Sequence, residues 1–479
     1  MNKFYLTTAI PYVNAPPHIG HALEFVQADV IKRYQKLIGK EAYLLSGADE
    51  NSLKIVQAAQ EAKITPQELA DRVAGIFRDL AKRLDVEFDF FQRASDKEKH
   101  FKSSQRLWEL CEKKGDIYKK VYEGLYCVGC EAFYTSAELS GGECPEHKGK
   151  KIEMVREENY FFKLSRYQRA LEEMIEKDKL KIFPQTRKNE VLSFIKQGLA
   201  DFSISRSRER ARGWGVPVPN DPNQVIYVWF DALNIYQSGV GFGWDEKLYQ
   251  KLWPADLHVI GKGIIRFHAV FWPAILLSSG LPIPKSLFVH GYLTVDGQKM
   301  SKTLGNVINP FDLIKKYGKD ALRFYFLKEI PSDSDGDFSE KRFKEVYNAG
   351  LANGLGNLVA RIAKLAQSLR LEVNPTHPKP LLDTPFRVSL EKYEFHEAIN
   401  YIWQKIHSLD SLIEEKKPWE LIKSNPEGSR EVVENLIRQV REIAELLQPI
   451  LPETSEKIRQ IFHGPKIVKP SEPLFPRIN

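Results

Sequence analysis

Phe4-Tyr5-Leu6-Thr7-Thr8-Ala9-Ile10, closed by Pro11, runs through a proline-rich turn as far as Pro17 and into His18-Ile19-Gly20-His21. A short apolar run, a breaker and then apolar Ala22, Leu23, Val26, Val30, Ile31 and Tyr34 at helical spacing read as a buried strand, a loop and a helix. Ala42 to Ser46 repeats the strand pattern and ends at Gly47-Ala48-Asp49-Glu50, after which Lys54 to Leu84 carries helical spacing. Strands that alternate with helices predict an α/β fold with a doubly wound, Rossmann-like parallel sheet. Its ligands bind beyond the carboxyl ends of the strands.

Strand-like runs return at Val225 to Phe230, Leu257 to Ile260 and Leu287 to His290, with a helix-like stretch from Ile264 to Ser278. The sheet is therefore split. The expected domains are 1–114, the first half of the sheet; 115–219, a polar insertion holding most of the cysteines and the basic run Arg206 to Arg212; 220–340, the second half; and 341–479. Lys341 to Arg370 and Tyr393 to Ile461 lack strand alternation and carry helical spacing, which predicts an α-helical bundle joined through the proline-rich 374–385.

At 479 residues the chain exceeds what one core supports. Its 43% hydrophobic and 28% charged residues are those of a globular protein, with no apolar run of membrane-spanning length and no recognised signal peptide, so a cytoplasmic protein with no membrane partner is expected. The excess of 70 Lys+Arg over 63 Asp+Glu suits a polyanionic partner without identifying one.

His18 and His21 stand three apart at a helix start, where backbone N–H groups also favour phosphate. Lys299-Met300-Ser301-Lys302-Thr303 follows the turn-prone Val295-Asp296-Gly297-Gln298, a loop able to close over a bound ligand. Imidazole donors and paired ammonium groups suit attack on a nucleoside triphosphate, where charge grows on phosphate oxygens and on the leaving pyrophosphate. Each motif alone also describes a hydrogen-bonded helix start or a solvated surface.

Cys127-Val128-Gly129-Cys130 and Cys144-Pro145-Glu146-His147 give Cys-x2-Cys-x13-Cys-x2-His. This spacing fits one structural, tetrahedral Zn2+ with no open coordination position.

The two nucleotide motifs together resemble a class I aminoacyl-tRNA synthetase. Ala9-Ile10-Pro11-Tyr12-Val13-Asn14, Val228-Trp229-Phe230-Asp231-Ala232-Leu233 and Ile264-Ile265-Arg266-Phe267-His268 narrow the resemblance to the methionyl-tRNA synthetase family over essentially the whole chain. The resemblance implies a Rossmann-like catalytic domain split by a zinc-binding insertion and followed by an α-helical anticodon-binding domain. It implies methionine, ATP with Mg2+, and elongator and initiator methionine tRNA as partners, together with a possible separate tRNA-binding or dimerisation subunit.

Carried over by position, His18, His21, Lys299 and Lys302 are the catalytic set, and Gly20, Glu24, Gly261, Met300 and Ser301 join them around ATP. Ala9, Ile10, Tyr12, Trp229, Ala232, Leu233, Tyr236, Ile264 and His268 would line the methionine pocket, with Asp49 on the substrate ammonium. Asn357, Arg361 and Trp419 would read the CAU anticodon. Two positions depart from the family pattern: Thr303 replaces a serine, and Gly263 stands where many relatives have an aspartate that touches the ribose.

Overall fold

The computed structural model describes residues 2–127, 132–134, 139, 141–144, 152–301, 304–374, 385–467 and 469–479. The chain divides into two compact units: Met1–Pro17, Glu41–Asp79 and Glu87–Val289 form the first, and His18–Lys40, Leu80–Val86 and His290–Asn479 the second.

The first unit is built on a six-stranded sheet of β1 (Lys3–Thr7), β2 (Glu41–Ala48), β3 (Phe90–Arg93), β4 (Lys181–Phe183), β5 (Leu257–Gly261) and β6 (Ser286–His290), in the order β3-β2-β1-β5-β6-β4. β1 pairs in parallel with β2 and β5, β2 with β3, and β6 with β4. Leu257 to Ile260 are all buried, the unbroken apolar run expected of a strand covered on both faces. Strand order reverses between β1 and β5, so the crevice for a ligand opens at the carboxyl ends of those two strands.

Three elements differ from the sequence expectation. β4 comes from inside 115–219 and pairs at the sheet edge; at three residues it is too short to carry a period. The helical stretch from Lys54 breaks into Leu53–Glu61 and Pro66–Arg83. Lys63 takes a left-handed φ of 57° there, and Thr65 and Glu68 form a reciprocal cap.

The third difference is a correction: Val225 to Phe230 is not one strand. Asp221–Ile226 pairs antiparallel with Ser205–Ser207 and Pro217–Val218, and Val228 opens a helix, α2 (Val228–Ser238). Every residue of α2 except Trp229 is buried, so the helix shows no polar face to betray its period.

The rest of 115–219 contains a long antiparallel ribbon of Ile117–Cys127 with Ile152–Phe162, flanked by Ala132–Tyr134 and Phe202–Ser203.

In the second unit α1 (Ile19–Leu37) meets a helical region that includes Lys319–Glu329, Asn357–Ser368, Phe395–Lys416, Pro418–Ser424, Pro426–Leu447 and Pro452–Ile461. Among the described residues of this unit, proline opens helices at Pro310, Pro385, Pro418, Pro426 and Pro452, where its missing N–H costs nothing. Fully buried Arg323 binds Asp29 of α1 at 2.8 Å and donates to the carbonyls of Leu84, Pro449 and Ile450. One guanidinium thereby joins all three chain segments of this unit.

Candidate active site

His18 is the N-cap of α1, with extended backbone angles. Its Nδ1 accepts from the Gly20 N–H at 3.1 Å, and the His21 Nδ1 accepts from the His18 N–H at 3.1 Å. A neutral imidazole that accepts at Nδ1 carries its hydrogen on Nε2. Burial lowers the pKa of both rings, that of His21 well below the usual value, with His18 and His290 adding to the shift. At neutral pH the helix start therefore presents two uncharged Nε2–H donors, from rings whose centroids lie 3.9 Å apart.

The Lys299 loop belongs to the same unit. Leu293–Val295 and Gln298–Lys299 form a hairpin through Asp296 (φ 49°) and Gly297 (φ 73°), two left-handed positions that suit a tight turn. Asp337 accepts from the Thr294 hydroxyl at 2.6 Å and from the Gly297 N–H at 2.8 Å. Asn306 accepts from the Ser301 N–H at 2.9 Å and donates to the Lys299 carbonyl at 3.3 Å, folding the loop back on itself. Lys302 and Thr303 lie outside the described residues.

The two motifs meet at Gly20. A Cβ there would stand 3.0 Å from the His18 ring and 3.8 Å from the Met300 methyl. Gly20→Ala is expected to displace the His18 ring and lower kcat for ATP–pyrophosphate exchange about tenfold, with the melting temperature nearly unchanged. Wild-type exchange kinetics would show that the ring has room to give.

Glu24 lies one turn further along α1. His290 Nε2 lies 2.9 Å from the Glu24 carboxylate, and His290 Nδ1 lies 2.8 Å from the Gly291 carbonyl. His290 carries no motif of its own and was not legible as a site residue in the sequence.

In the first unit Asp49 directly follows β2. Its N–H donates to the Pro11 carbonyl at 2.9 Å and its own carbonyl accepts from the Val13 N–H, so Asp49 and Tyr12 form a bridge just beyond β1 and β2. Trp229 stacks on Phe267 with 3.6 Å between centroids and 4° between planes. The Tyr236 hydroxyl lies 2.6 Å from His268 Nε2, and His268 Nδ1 lies 2.9 Å from the Ile264 carbonyl. Nδ1–H therefore donates to that carbonyl and Nε2 accepts from the tyrosine. Burial pulls the His268 pKa down to about 4, so the ring is neutral.

Ala9, Ile10, Trp229 and Ile264 are half-buried and pack on the core that contains Leu233 and Tyr236; Ala232 is buried beside them in sequence. Gly261 ends β5, and Gly263 is exposed in the following 3₁₀ turn. His258 went unassigned from sequence: fully buried on β5, it lies 2.7 Å from the Thr7 hydroxyl with its ring 4.4 Å from that of Tyr236.

Asn357 and Arg361 lie one turn apart on Asn357–Ser368. Arg361 is not a free cation, since it pairs with Asp410 at 3.3 Å and Glu414 at 2.5 Å. Trp419, on Pro418–Ser424, is 41% exposed, unusual for so large an apolar side chain. Cys127 and Cys144 are fully buried thiols with no disulfide, and Cys144 Sγ lies 3.7 Å from the Tyr134 hydroxyl. Cys130 and His147 fall outside the described residues.

Residues 4–154 and 146–363 match the family model described as tRNA synthetases class I (M), and residues 386–476 match the anticodon-binding domain of tRNA ligase. The chain is 40% identical to the methionine–tRNA ligase of Thermotoga maritima over 100% of its own length and 80% of that protein's. It is 42% identical to that of Nostoc sp. over 95% of the chain and 89% of the relative. The methionyl-tRNA synthetase of Mycobacterium tuberculosis, solved in complex with methionyl-adenylate, superposes with a TM-score of 0.91 at 35% identity, covering 100% of both chains. The parallel sheet with its helices, the helical C-terminal region and the full-length similarity place this chain in the methionine–tRNA ligase family of class I aminoacyl-tRNA synthetases.

Proposed function

We propose that the chain activates methionine with ATP to methionyl adenylate and transfers it to the 3′ end of methionine tRNA, releasing AMP and pyrophosphate. The observation that carries the chemistry is the pair of neutral Nε2–H donors fixed at the start of α1. The methionine carboxylate attacks the α-phosphorus in line, and His18 and His21 donate to phosphate oxygens as charge accumulates on them. Lys299 and Lys302 neutralise the departing pyrophosphate, with Gly20, Glu24, Gly261, Met300 and Ser301 around the nucleotide. Magnesium supplies further charge neutralisation when ATP is bound. The terminal adenosine hydroxyl then attacks the adenylate carbonyl and AMP leaves, so no covalent enzyme intermediate is needed.

Asp49 holds the substrate ammonium. Ala9, Ile10, Tyr12, Trp229, Ala232, Leu233 and Ile264 enclose the thioether, which packs well against aromatic rings. Tyr236 and neutral His268 close the pocket without placing a charge beside sulfur. Such walls separate substrates by about 1 to 3 kcal/mol per methylene, so homocysteine competes. Charging of methionine tRNA with labelled methionine tests the whole cycle, and no acceptor activity in a folded sample would overturn the reading.

Asn357, Arg361 and Trp419 read the anticodon of elongator and initiator methionine tRNA, Trp419 by stacking on a splayed base. Trp419→Ala is expected to lower kcat/KM for tRNA charging about 10- to 100-fold while methionine-dependent exchange stays at wild type. Equal loss of both activities would make the tryptophan structural.

Cys127, Cys130, Cys144 and His147 are the donor set for one structural zinc. The two described thiols fit it, being buried, reduced and set beside the end of a ribbon that has little core of its own. Metal analysis is expected to find about one zinc per chain, and Cys127→Ser to lose it. A metal-free protein with reduced cysteines would contradict the site.

The proposed domains are 1–114, 115–219, 220–340 and 341–479. Among the described residues no helix is long and apolar enough to cross a membrane. The cytoplasm is proposed as the location on the ground of the proposed reaction alone.

A further inference from the structure

Three segments of the first unit converge on one buried carboxylate. Asp231, fully buried on α2, accepts from Ser104 Oγ at 2.7 Å and from Asn51 Nδ2 at 2.7 Å, and faces His100 Nε2 at 2.8 Å. The Asn51 amide also donates to the Ala94 carbonyl at 2.8 Å, just beyond β3. Asn51 stands two residues after Asp49, and the residue between them is fastened as well. The Glu50 carboxylate takes Arg93 and the Ser95 N–H, and its carbonyl accepts from Trp214 Nε1 at 2.5 Å.

A turn at a strand end satisfies its polar groups with water at little cost. Here the Asn51 amide nitrogen and the Glu50 carboxylate and carbonyl are buried and each is paired, which makes their geometry expensive to change. What this fastening joins is the Asp49 turn on one side and, on the other, the helix that carries Trp229, Ala232, Leu233 and Tyr236.

We propose that Asn51 and Asp231 are positioning residues for the amino acid: their hydrogen bond fixes the separation between the Asp49 carboxylate and the α2 wall, and that separation is the ruler for side-chain length. This rests on the reading that Asp49 and α2 hold methionine. An amino acid gripped at its ammonium and at its side-chain end is selected by the distance between the grips. Homocysteine lacks the terminal methyl and ethionine adds one carbon, so both probe the ruler.

Asn51→Ala and Asp231→Asn, which removes the charge but keeps the shape, are expected to raise KM for methionine in pyrophosphate exchange about 10- to 100-fold, with KM for ATP within about twofold. The preference for methionine over homocysteine and over ethionine falls about tenfold in each. Asn234→Ala is the control. Asn234 lies in the same network, bonding Ser103, Ser104 and Gln237 but not Asn51. It is expected to lower the melting temperature and leave both KM for methionine and the two preferences unchanged.

Unchanged KM and preferences in Asn51→Ala and Asp231→Asn would overturn the proposal. So would equal shifts in Asn234→Ala, which would make the network merely structural. A wild-type protein that activates no methionine would instead remove the reading of the pocket itself, a separate failure.

Discussion

His21→Asn is expected to lower kcat for methionine-dependent ATP–pyrophosphate exchange by about 10² to 10³ and to leave KM for methionine within about threefold. The asparagine retains an acceptor for the His18 N–H but places no donor where Nε2–H stood. That donor is worth most when negative charge has built up on the phosphate, so its loss falls on kcat. The same pair predicts the pH profile. Both histidines are held neutral by burial, so exchange is expected to stay level as pH falls through 6.5, the ordinary histidine value, and to drop only below their lowered values. Protonation would put hydrogen on each Nδ1 and turn it against the backbone N–H it now accepts. The sign for stability follows: below pH 6.5 the unfolded chain takes up protons that the folded rings refuse, so the fold loses stability as pH falls. A step in exchange centred on pH 6.5, together with a wild-type kcat in His21→Asn, would rule out the donor role.

Asp49→Asn is expected to raise KM for methionine about 10²- to 10³-fold while KM for ATP changes little, measured by exchange at saturating ATP and then at saturating methionine. The backbone of Asp49 is held independently of its carboxylate, through Pro11 and Val13, so the turn persists in the variant. What is lost is the charge opposite the ammonium in a buried place. Equal effects on both substrates would assign Asp49 to the scaffold.

Much of this was legible in the residues, for identifiable reasons. β1, β2, β5 and β6 are short apolar runs bounded by breakers, whereas helical spacing reads through the break before Pro66 as one helix, although Thr65-x-x-Glu68 caps the second. The helix start at His18 was visible because Pro11 to Pro17 end the strand so sharply. α2 was not, because a helix buried nearly all round has the same apolar run as a buried strand. β4 was hidden by its length, and its partner β6 is more than a hundred residues away. In the site, the motif residues announced themselves by spacing. The groups that orient them did not: His258, His290 and the Asn51–Asp231 pair are single polar residues whose partners are distant in sequence. Arg361 shows the converse. Its i, i+4 relation to Asn357 could be read, but its ion pairs with Asp410 and Glu414 could not, and the proposed anticodon contact has to compete with them.

Pyrophosphate exchange into ATP with each of the twenty amino acids, in the absence of tRNA, tests adenylation and side-chain choice together. Exchange with methionine is expected to stand well above that with every other amino acid. Exchange led by another amino acid would contradict the pocket built from Asp49, Trp229 and Tyr236, and none from a folded sample would contradict the adenylation site itself.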